Sequence, residues 1–480
     1  MIAWNLPPSN PLSNLVVTHK EHFMHKSVIF REYDIRGVFN QDYDLDFAYN
    51  LGKAYVSFAL KRNPGKKVKL SVGYDARLSS PSISKSLIKG LIESGADVLN
   101  IGLVTSPISY FSTFTIEELT GAIMITGSHN PPEYNGFKIS FGKTTIFGSA
   151  IQELKSIIDS NEYVSPTSLG KETTFDIFSS YIERYKKEFP DLSNVKVVLD
   201  CGNGAAGVIA RRLYESVGIK PTILCEEPDG RFPVHHPDPT IETNMEMLKK
   251  KVLELGADVG IGFDGDADRI GIIDNEGRFI LGDELMVLLA RDVLKSHPGA
   301  KIVGDVKCSD RLYRDIEDNG GIPIMWKTGH SLIKEKIKLE KAPFGGEMSG
   351  HIFFNDRNYG YDDALYAGLR VCEIISKSGK SISQLLCDLP KAFNTPEIRI
   401  DTTEEKKVAI VEALKTHFGA GTQDIKVNLL DGIRLSFPDG WALARSSNTQ
   451  PVLVLRFESW SPEGLARIEN QVRSIVNPML

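Results

Sequence analysis

The sequence predicts an α/β fold in several domains, followed by a separate C-terminal α+β domain, and three observations carry this reading. Apolar strands alternate with amphipathic helices along most of the chain, the pattern of α/β architectures. The 480 residues exceed the ~250–300 that one hydrophobic core serves, so roughly three domains are expected. From about Asn394 the texture changes to short strands flanked by two helices.

The elements follow in order. The stretch before Ser27 opens MIAWNLPPSNPLSNLVVTHKEHF, without the basic and apolar regions of a secretory signal. It reads as a poorly ordered arm or as the product of a misplaced start codon. A strand over 68–73 runs into a loop at Tyr74-Asp75, and a helix follows over 80–94 with Pro81 at a permitted first-turn position. Strands over 96–101 and 121–126 also feed loops. Residues 86–98 echo residues 247–259, each an amphipathic helix, a glycine stop and a strand. Residues 212–221 and 312–323 form a second such pair. The echoes fit repeated α/β domains and equally the generic αβ unit. In the last part, strands are expected over 397–400, 433–437, 441–445 and 452–457, with helices over 403–418 and 462–476.

Composition narrows the function. Hydrophobic residues make up 41% and charged residues 25%, as in ordinary globular proteins. A net charge of -6 provides no global positive field, which argues against nucleic acid as the main partner. The five cysteines form no C-x-x-C pair and read as reduced thiols of a reducing, cytoplasmic compartment. No apolar run reaches the ~18 residues of a membrane span.

Four constellations carry chemistry. In Thr126-Gly-Ser-His-Asn-Pro-Pro-Glu-Tyr-Asn-Gly-Phe-Lys138 a strand delivers Ser128 to a tight loop. Asn135-Gly136 is a turn pair, and a new strand at 137–140 brings Lys138 or His129 back toward Ser128. A serine hydroxyl needs a base or metal to become a nucleophile. In Gly262-Phe-Asp264-Gly-Asp266-Ala-Asp268-Arg269 three carboxylates spaced by two crowd a strand end, and such like charges call for a cation or dense hydrogen bonding. All-oxygen ligands suit Mg²⁺. An EF-hand is excluded, since its sixth position holds Arg269 and its twelfth Asn275. Gly345-Gly-Glu347-Met-Ser349-Gly-His351 exposes groups that can share hydrogen bonds with sugar hydroxyls. Arg445-Ser-Ser447-Asn448-Thr449-Gln450 combines an arginine fork with small donors, a mixture suited to phosphate. Taken singly, each is also compatible with a polar or acidic turn, as are the segments holding Tyr33, Arg36, Lys307 and His330. Each of the four falls in its own domain-sized block, so carrier, metal, sugar reader and phosphate clamp can share one cleft.

With these residues assembled, the chain resembles the α-D-phosphohexomutase superfamily, most closely its bacterial phosphomannomutase/phosphoglucomutase branch, from about Val28 to the C-terminus. Thr126-Gly-Ser-His-Asn-Pro together with Gly265-Asp-Ala-Asp-Arg269 carries the resemblance. The Glu-Met-Ser-Gly-His form at 347–351 resembles the glucose/mannose branch. The resemblance implies three similar α/β domains around a central cleft, with a fourth, TATA-binding-protein-like α+β domain. The expected division is an arm at 1–27, then domains at 28–174, 175–278, 279–391 and 392–480.

It also implies roles. Ser128 is expected to carry the phosphoryl group, and Asp264, Asp266 and Asp268 to bind Mg²⁺ with the phosphoserine. His129, Lys138 and Arg269 are expected beside it, with Arg36 and Tyr33 contributed by the first domain. Lys307 and His330 are expected to face substrate, Glu347, Ser349 and His351 to meet the sugar, and Arg445, Ser447, Asn448 and Thr449 to clamp the non-reacting phosphate. Gln450 stands where the family often has a second threonine. The expected reaction passes through hexose 1,6-bisphosphate, with Lys138 as base if neighbouring cations or burial lower its pKa. Small sugar phosphates are the expected partners of a monomer or dimer. A Mg²⁺-dependent phosphatase and a non-enzymatic sugar-phosphate sensor are the rival readings, with a phosphoglucosamine-specific relative as a third.

Overall fold

The computed structural model describes residues 25–419, 421, 424–447 and 451–480. Most of the expected arm, together with Asn448, Thr449 and Gln450, lies outside the described residues. Residues 25–27 lie within them and are tied to the first sheet's unit. His25 packs against Phe30 and Phe47, with ring centroids 5.3 and 5.2 Å away, and the Lys26 amide donates to the Asp42 carbonyl. Structure therefore starts ahead of residue 28.

Four sheets follow one another along the chain. In the first, the central strand Lys69–Tyr74 lies parallel to Asp97–Leu103 on one side and to Gly121–Ile125 on the other. Helices Leu45–Arg62 and Ser80–Glu93 pack closely, because a Cβ on Gly90 would fall 2.0 Å from the Tyr49 carbonyl oxygen. The Asp44 side chain caps the first of these helices at the Phe47 amide, 3.0 Å away. The second sheet places Val259–Phe263 parallel to Val197–Asp200, and the third places Phe344–Gly346 parallel to Lys301–Asp305.

The three sheets share one device. A buried parallel strand runs into a short loop and returns antiparallel: Gly121–Ile125 to Tyr134–Phe141, Val259–Phe263 to Ile270–Asp274, and Phe344–Gly346 to Ile352–Phe354. These loops hold Ser128, the three aspartates, and Glu347 to His351. Ligands of α/β sheets bind beyond the carboxyl ends of the strands, and all three loops sit there. The fourth sheet is antiparallel, with Gly440–Ser446 between Ile433–Phe437 and Val452–Ser459. Its helices Glu404–Phe418 and Pro462–Val476 supply Ile410, Leu414, Ile468 and Val472 to its own core.

The first unit has a core of its own, but its Ile101, Val104, Ile108, Tyr110, Phe111 and Met124 also join the large cluster that the second and third units share. Helix Ala364–Ser378, capped by Asp363 at the Tyr366 amide, is buried along its first three turns and brings Leu365 and Leu369 into that cluster. One detail corrects the sequence reading. Asn135-Gly136 is not a turn but lies inside strand Tyr134–Phe141. The Asn135 amide bonds Ser79 and Ser80, and a Cβ on Gly136 would meet the Ile35 carbonyl at 2.2 Å. Among the described residues no helix is long and apolar enough to cross a membrane, and all five cysteines are free.

Candidate active site

The Ser128 loop is built around a guanidinium. Arg77 is buried and donates to the carbonyl oxygens of Ser128 (2.7 Å), Asn130 (2.6 Å), Pro131 (2.5 Å) and Tyr134 (2.9 Å). Asp75 accepts from Arg77 Nε at 3.1 Å, from Thr126 Oγ1 at 2.8 Å and from the Gly127 amide at 3.1 Å. Gly127 leaves room for this, since a Cβ there would fall 2.4 Å from the guanidinium. The clamp holds Ser128 at φ 49°, a left-handed conformation that non-glycine residues rarely adopt. Ser128 is 3% exposed, and its Oγ donates to Asp264 Oδ2 at 2.8 Å and lies 3.2 Å from His129 Nδ1.

The acidic loop thus meets the serine from a different sheet. Asp264 Oδ1 accepts from the amides of Asp268 and Arg269 at 3.0 and 3.1 Å. Asp266 Oδ2 accepts from Ser106 Oγ at 2.5 Å and from Lys138 Nζ at 2.6 Å, and Lys138 also bonds Asp268. Burial, and then the charges of Asp266 and Asp268, push the Asp264 carboxyl well above its usual range. Burial disfavours the Asp266 carboxylate too, but Lys138 outweighs it and holds that group below the usual range. For Lys138 itself, burial is overcome by Asp266 and Asp268, and its pKa lies well above an ordinary lysine's. The expectation of a lowered lysine pKa is therefore corrected: its nearest charged neighbours are carboxylates, not cations.

The aspartates fit Mg²⁺. Their ligand oxygens lie within 4.8 Å of one another. Asp266 Oδ1 and Asp268 Oδ1 are buried with no hydrogen-bond partner, a costly state for carboxylate oxygens. A hard divalent ion taken up by oxygen ligands would satisfy both.

The third loop closes on the second. Arg269 and His351 form an isolated backbone bridge, and Arg269 Nε donates to His351 Nε2 at 3.1 Å. His351 Nδ1 faces Asp362 Oδ2 at 3.0 Å, and its ring stacks on His330 at 5.6 Å between centroids. Desolvation, with Arg269 and Arg36 nearby, holds the His129 imidazole well below its usual pKa; desolvation and Lys334 do the same to His330. Both are uncharged at neutral pH. Glu347 is buried and accepts from the Gly329 amide at 2.6 Å, and Ser349 is half-buried on the same turn.

The first and fourth units complete the ring. Arg36 bonds Asn130 Oδ1 at 2.7 Å and Asp34 at 2.5 Å, and Tyr33 donates to the Thr328 carbonyl at 3.0 Å. Asp431 accepts from the Thr328 amide and from Arg445 Nε, each at 3.0 Å. Lys307 reaches Glu397 at 3.1 Å, and the carbonyl of the buried Ser447 accepts from Lys407 at 2.7 Å. Sequence reasoning missed Arg77, Asp75, Ser106, Lys334 and Asp362, of which Asp75 had been noted only as a loop residue. No spacing pattern marks them, although a charged residue directly after a predicted strand, as at Asp75, was an available signal.

Family profiles agree with this arrangement. Phosphoglucomutase/phosphomannomutase α/β/α domains I, II and III match residues 27–165, 179–277 and 281–393, and the C-terminal domain of the same family matches 397–475. The chain is 45% identical over 441 residues to a phosphomannomutase/phosphoglucomutase of Pseudomonas syringae pv. tomato, covering 92% of this chain and 93% of that one. It is 41% identical over 458 residues to a phosphoglucomutase of Neisseria gonorrhoeae, covering 94% and 98%. A crystal structure of a phosphoglucomutase/phosphomannomutase family protein from Burkholderia thailandensis superposes with a TM-score of 0.87 at 39% identity, over 95% of this chain and 98% of that one. With four matched domains in order and a serine, a triple-aspartate loop and a glutamate–histidine loop gathered at one place, the chain belongs to the phosphoglucomutase/phosphomannomutase family of the α-D-phosphohexomutases.

Proposed function

We propose that this chain, an isomerase-class enzyme, moves a phosphoryl group reversibly between C1 and C6 of glucose and mannose phosphates, with Ser128 as carrier and hexose 1,6-bisphosphate as intermediate. The observation that carries the reading is the 2.8 Å hydrogen bond from Ser128 Oγ to Asp264, across 136 residues and two sheets. A buried hydroxyl in the left-handed conformation, set against a carboxylate cluster, suits a phosphate carrier better than a structural turn.

The residues divide the work. Phosphorylated Ser128 gives its phosphoryl group to a free sugar hydroxyl: the bond to Oγ breaks, the bond to the sugar oxygen forms, and Oγ is left to recover a proton. Asp264, Asp266 and Asp268 would hold Mg²⁺, which supplies Lewis-acid neutralisation of the phosphoryl charge. Arg269 and the Lys138 ammonium add fixed positive charge. The proton of the attacking hydroxyl goes to a neutral imidazole, and His330, stacked on His351 and beside Tyr33, is the candidate. Glu347, Ser349 and His351 read the sugar hydroxyls. Arg36, Lys307, Arg445 and Ser447, with Asn448 and Thr449, hold the distal phosphate in either orientation of the turned bisphosphate. The free cysteines fit a reducing, cytoplasmic compartment, where the enzyme would work as a monomer or dimer.

The test is a coupled assay with glucose 1-phosphate and mannose 1-phosphate, Mg²⁺ and a trace of the 1,6-bisphosphate. Ser128→Ala should lose turnover by orders of magnitude. A variant near the wild-type rate would reject the carrier, and stoichiometric phosphate release by the wild type would make the protein a phosphatase.

A further inference from the structure

Outside this site one cluster joins three different metal-binding side chains. Asp200 ends strand Val197–Asp200, and Cys225 directly follows the neighbouring parallel strand Thr222–Leu224, where Asp200 pairs with Leu224. His235 comes from the segment that follows. A carboxylate oxygen, the thiol sulfur and a ring nitrogen all lie within 4.8 Å of one another. His235 Nε2 is 3.1 Å from Asp200 Oδ2.

The outer contacts already aim these groups inward. His235 Nδ1 lies 3.0 Å from the His236 carbonyl oxygen, which fixes the proton on Nδ1 and turns Nε2 to the cluster when the ring is neutral. The Gly202 amide donates to Asp200 Oδ1 at 3.0 Å, leaving Oδ2 for His235. Metal-bound imidazoles and carboxylates are held by outer partners of this kind. Cys225 sits at φ 49°, and the His235 side chain is 18% exposed, so the cluster is reachable from solvent.

We propose that Asp200, Cys225 and His235 form a second cation site, for a borderline transition metal such as Zn²⁺, separate from the all-oxygen aspartate loop and independent of the mutase reading. The donor set decides the class of ion. Sulfur and imidazole ligands suit Zn²⁺ and disfavour Mg²⁺. Tetrahedral Zn²⁺ sets its ligand atoms about 3.5 Å apart, given bonds of ~2.0–2.3 Å, so the cluster need contract by only about an ångström. Binding displaces the thiol proton and the one His235 shares with Asp200, and three protein ligands leave one position for water. The consequence reaches the catalytic region mechanically. Pro237, two residues beyond His235, lies against Gly202 and Gly265, so a metal here ties that segment to the strand end beneath the acidic loop.

The experiment uses the full chain with Mg²⁺ in excess to occupy the aspartate loop, titrated with Co²⁺ as a spectroscopic stand-in for Zn²⁺. One equivalent should raise a thiolate-to-cobalt charge-transfer band, which an all-oxygen site cannot give. Cys225→Ser should abolish the band and weaken Zn²⁺, measured by calorimetry, by about tenfold or more, the range set even by outer-shell changes. Asp266→Asn and Cys387→Ser should keep the band, and Cys225→Ser should keep basal Mg²⁺-dependent activity. His235→Gln reports separately on the imidazole, should Cys225→Ser fold poorly, and should also remove the band. No band in the wild type, a band unchanged in Cys225→Ser, or one lost with Cys387→Ser would each overturn the site.

Discussion

Replacing Arg77 by lysine probes how the serine loop is held. The guanidinium serves five acceptors: four main-chain carbonyls and the Asp75 carboxylate. An ammonium has three donors and no planar fork, so at least two acceptors lose their partner. Each buried group left unpaired costs about 1–3 kcal/mol, which makes about 2–6 kcal/mol in all. At ~2–4 °C per kcal/mol for units of this size, the first unit should melt on the order of 10 °C lower. The carrier should suffer as well, because a displacement of about 1 Å is enough for roughly a hundredfold loss of rate. Calorimetry would report the first number, and the coupled assay, run well below the variant's transition, the second. A variant that melts within about 2 °C of wild type and turns over within about twofold would refute this account.

Three more outcomes are expected. Asp266→Asn removes one carboxylate of the cluster and should weaken Mg²⁺ by about tenfold or more in a calorimetric titration; unaltered affinity would reject the aspartate site. Burial pushes Asp363 up to about 7, despite bonds from the Tyr366 amide and the hydroxyls of Tyr181 and Tyr185. The unfolded chain releases that proton near pH ~4, so the stability it confers is complete below that pH and is lost as pH rises to about 7. Asp363→Asn should flatten the stability curve across this window, and a curve parallel to wild type would contradict the assignment. Arg434 stacks 3.7 Å over Trp441 and donates to the Cys308 carbonyl at 2.9 Å and to Asp310 at 2.7 Å, fastening the C-terminal unit to the third. Arg434→Met should cost about 3–5 kcal/mol and expose residues 397–475 to earlier proteolysis; equal cleavage rates would show that the fastening lies elsewhere.

Much of this was readable from the chain itself. The Ser128 and Asp264 loops announce themselves because chemistry there depends on side chains at fixed spacing. Strand ends near Ile125 and Phe263 follow from apolar runs that stop at polar residues, whereas the short strand Phe344–Gly346, with two glycines and no apolar run, gave no such signal. Arg77 stayed hidden for a physical reason: it binds carbonyl oxygens, which every residue possesses, so its partners leave no trace in the sequence. Ser106 and Asp362 meet the site only through tertiary approach. The state of Lys138 was misjudged because it depends on which charges lie within about 3 Å of its nitrogen, a quantity that pairing Lys138 with strand neighbours cannot supply. Asn135-Gly136 reads as a turn by composition, but the glycine is there to let the Ile35 carbonyl come close.

The common apolar cluster that joins the first three units bears on how this molecule comes apart. A cut near residue 278 would separate two sheets but leave helix Ala364–Ser378 without the oily surface it covers. Each excised half would carry a raw greasy flank and be prone to clump. Helix Ser106–Thr115 of the first unit is set in the same surface through Ile108 and Phe111, so the natural fragments of this enzyme are its three α/β units taken whole and its tail.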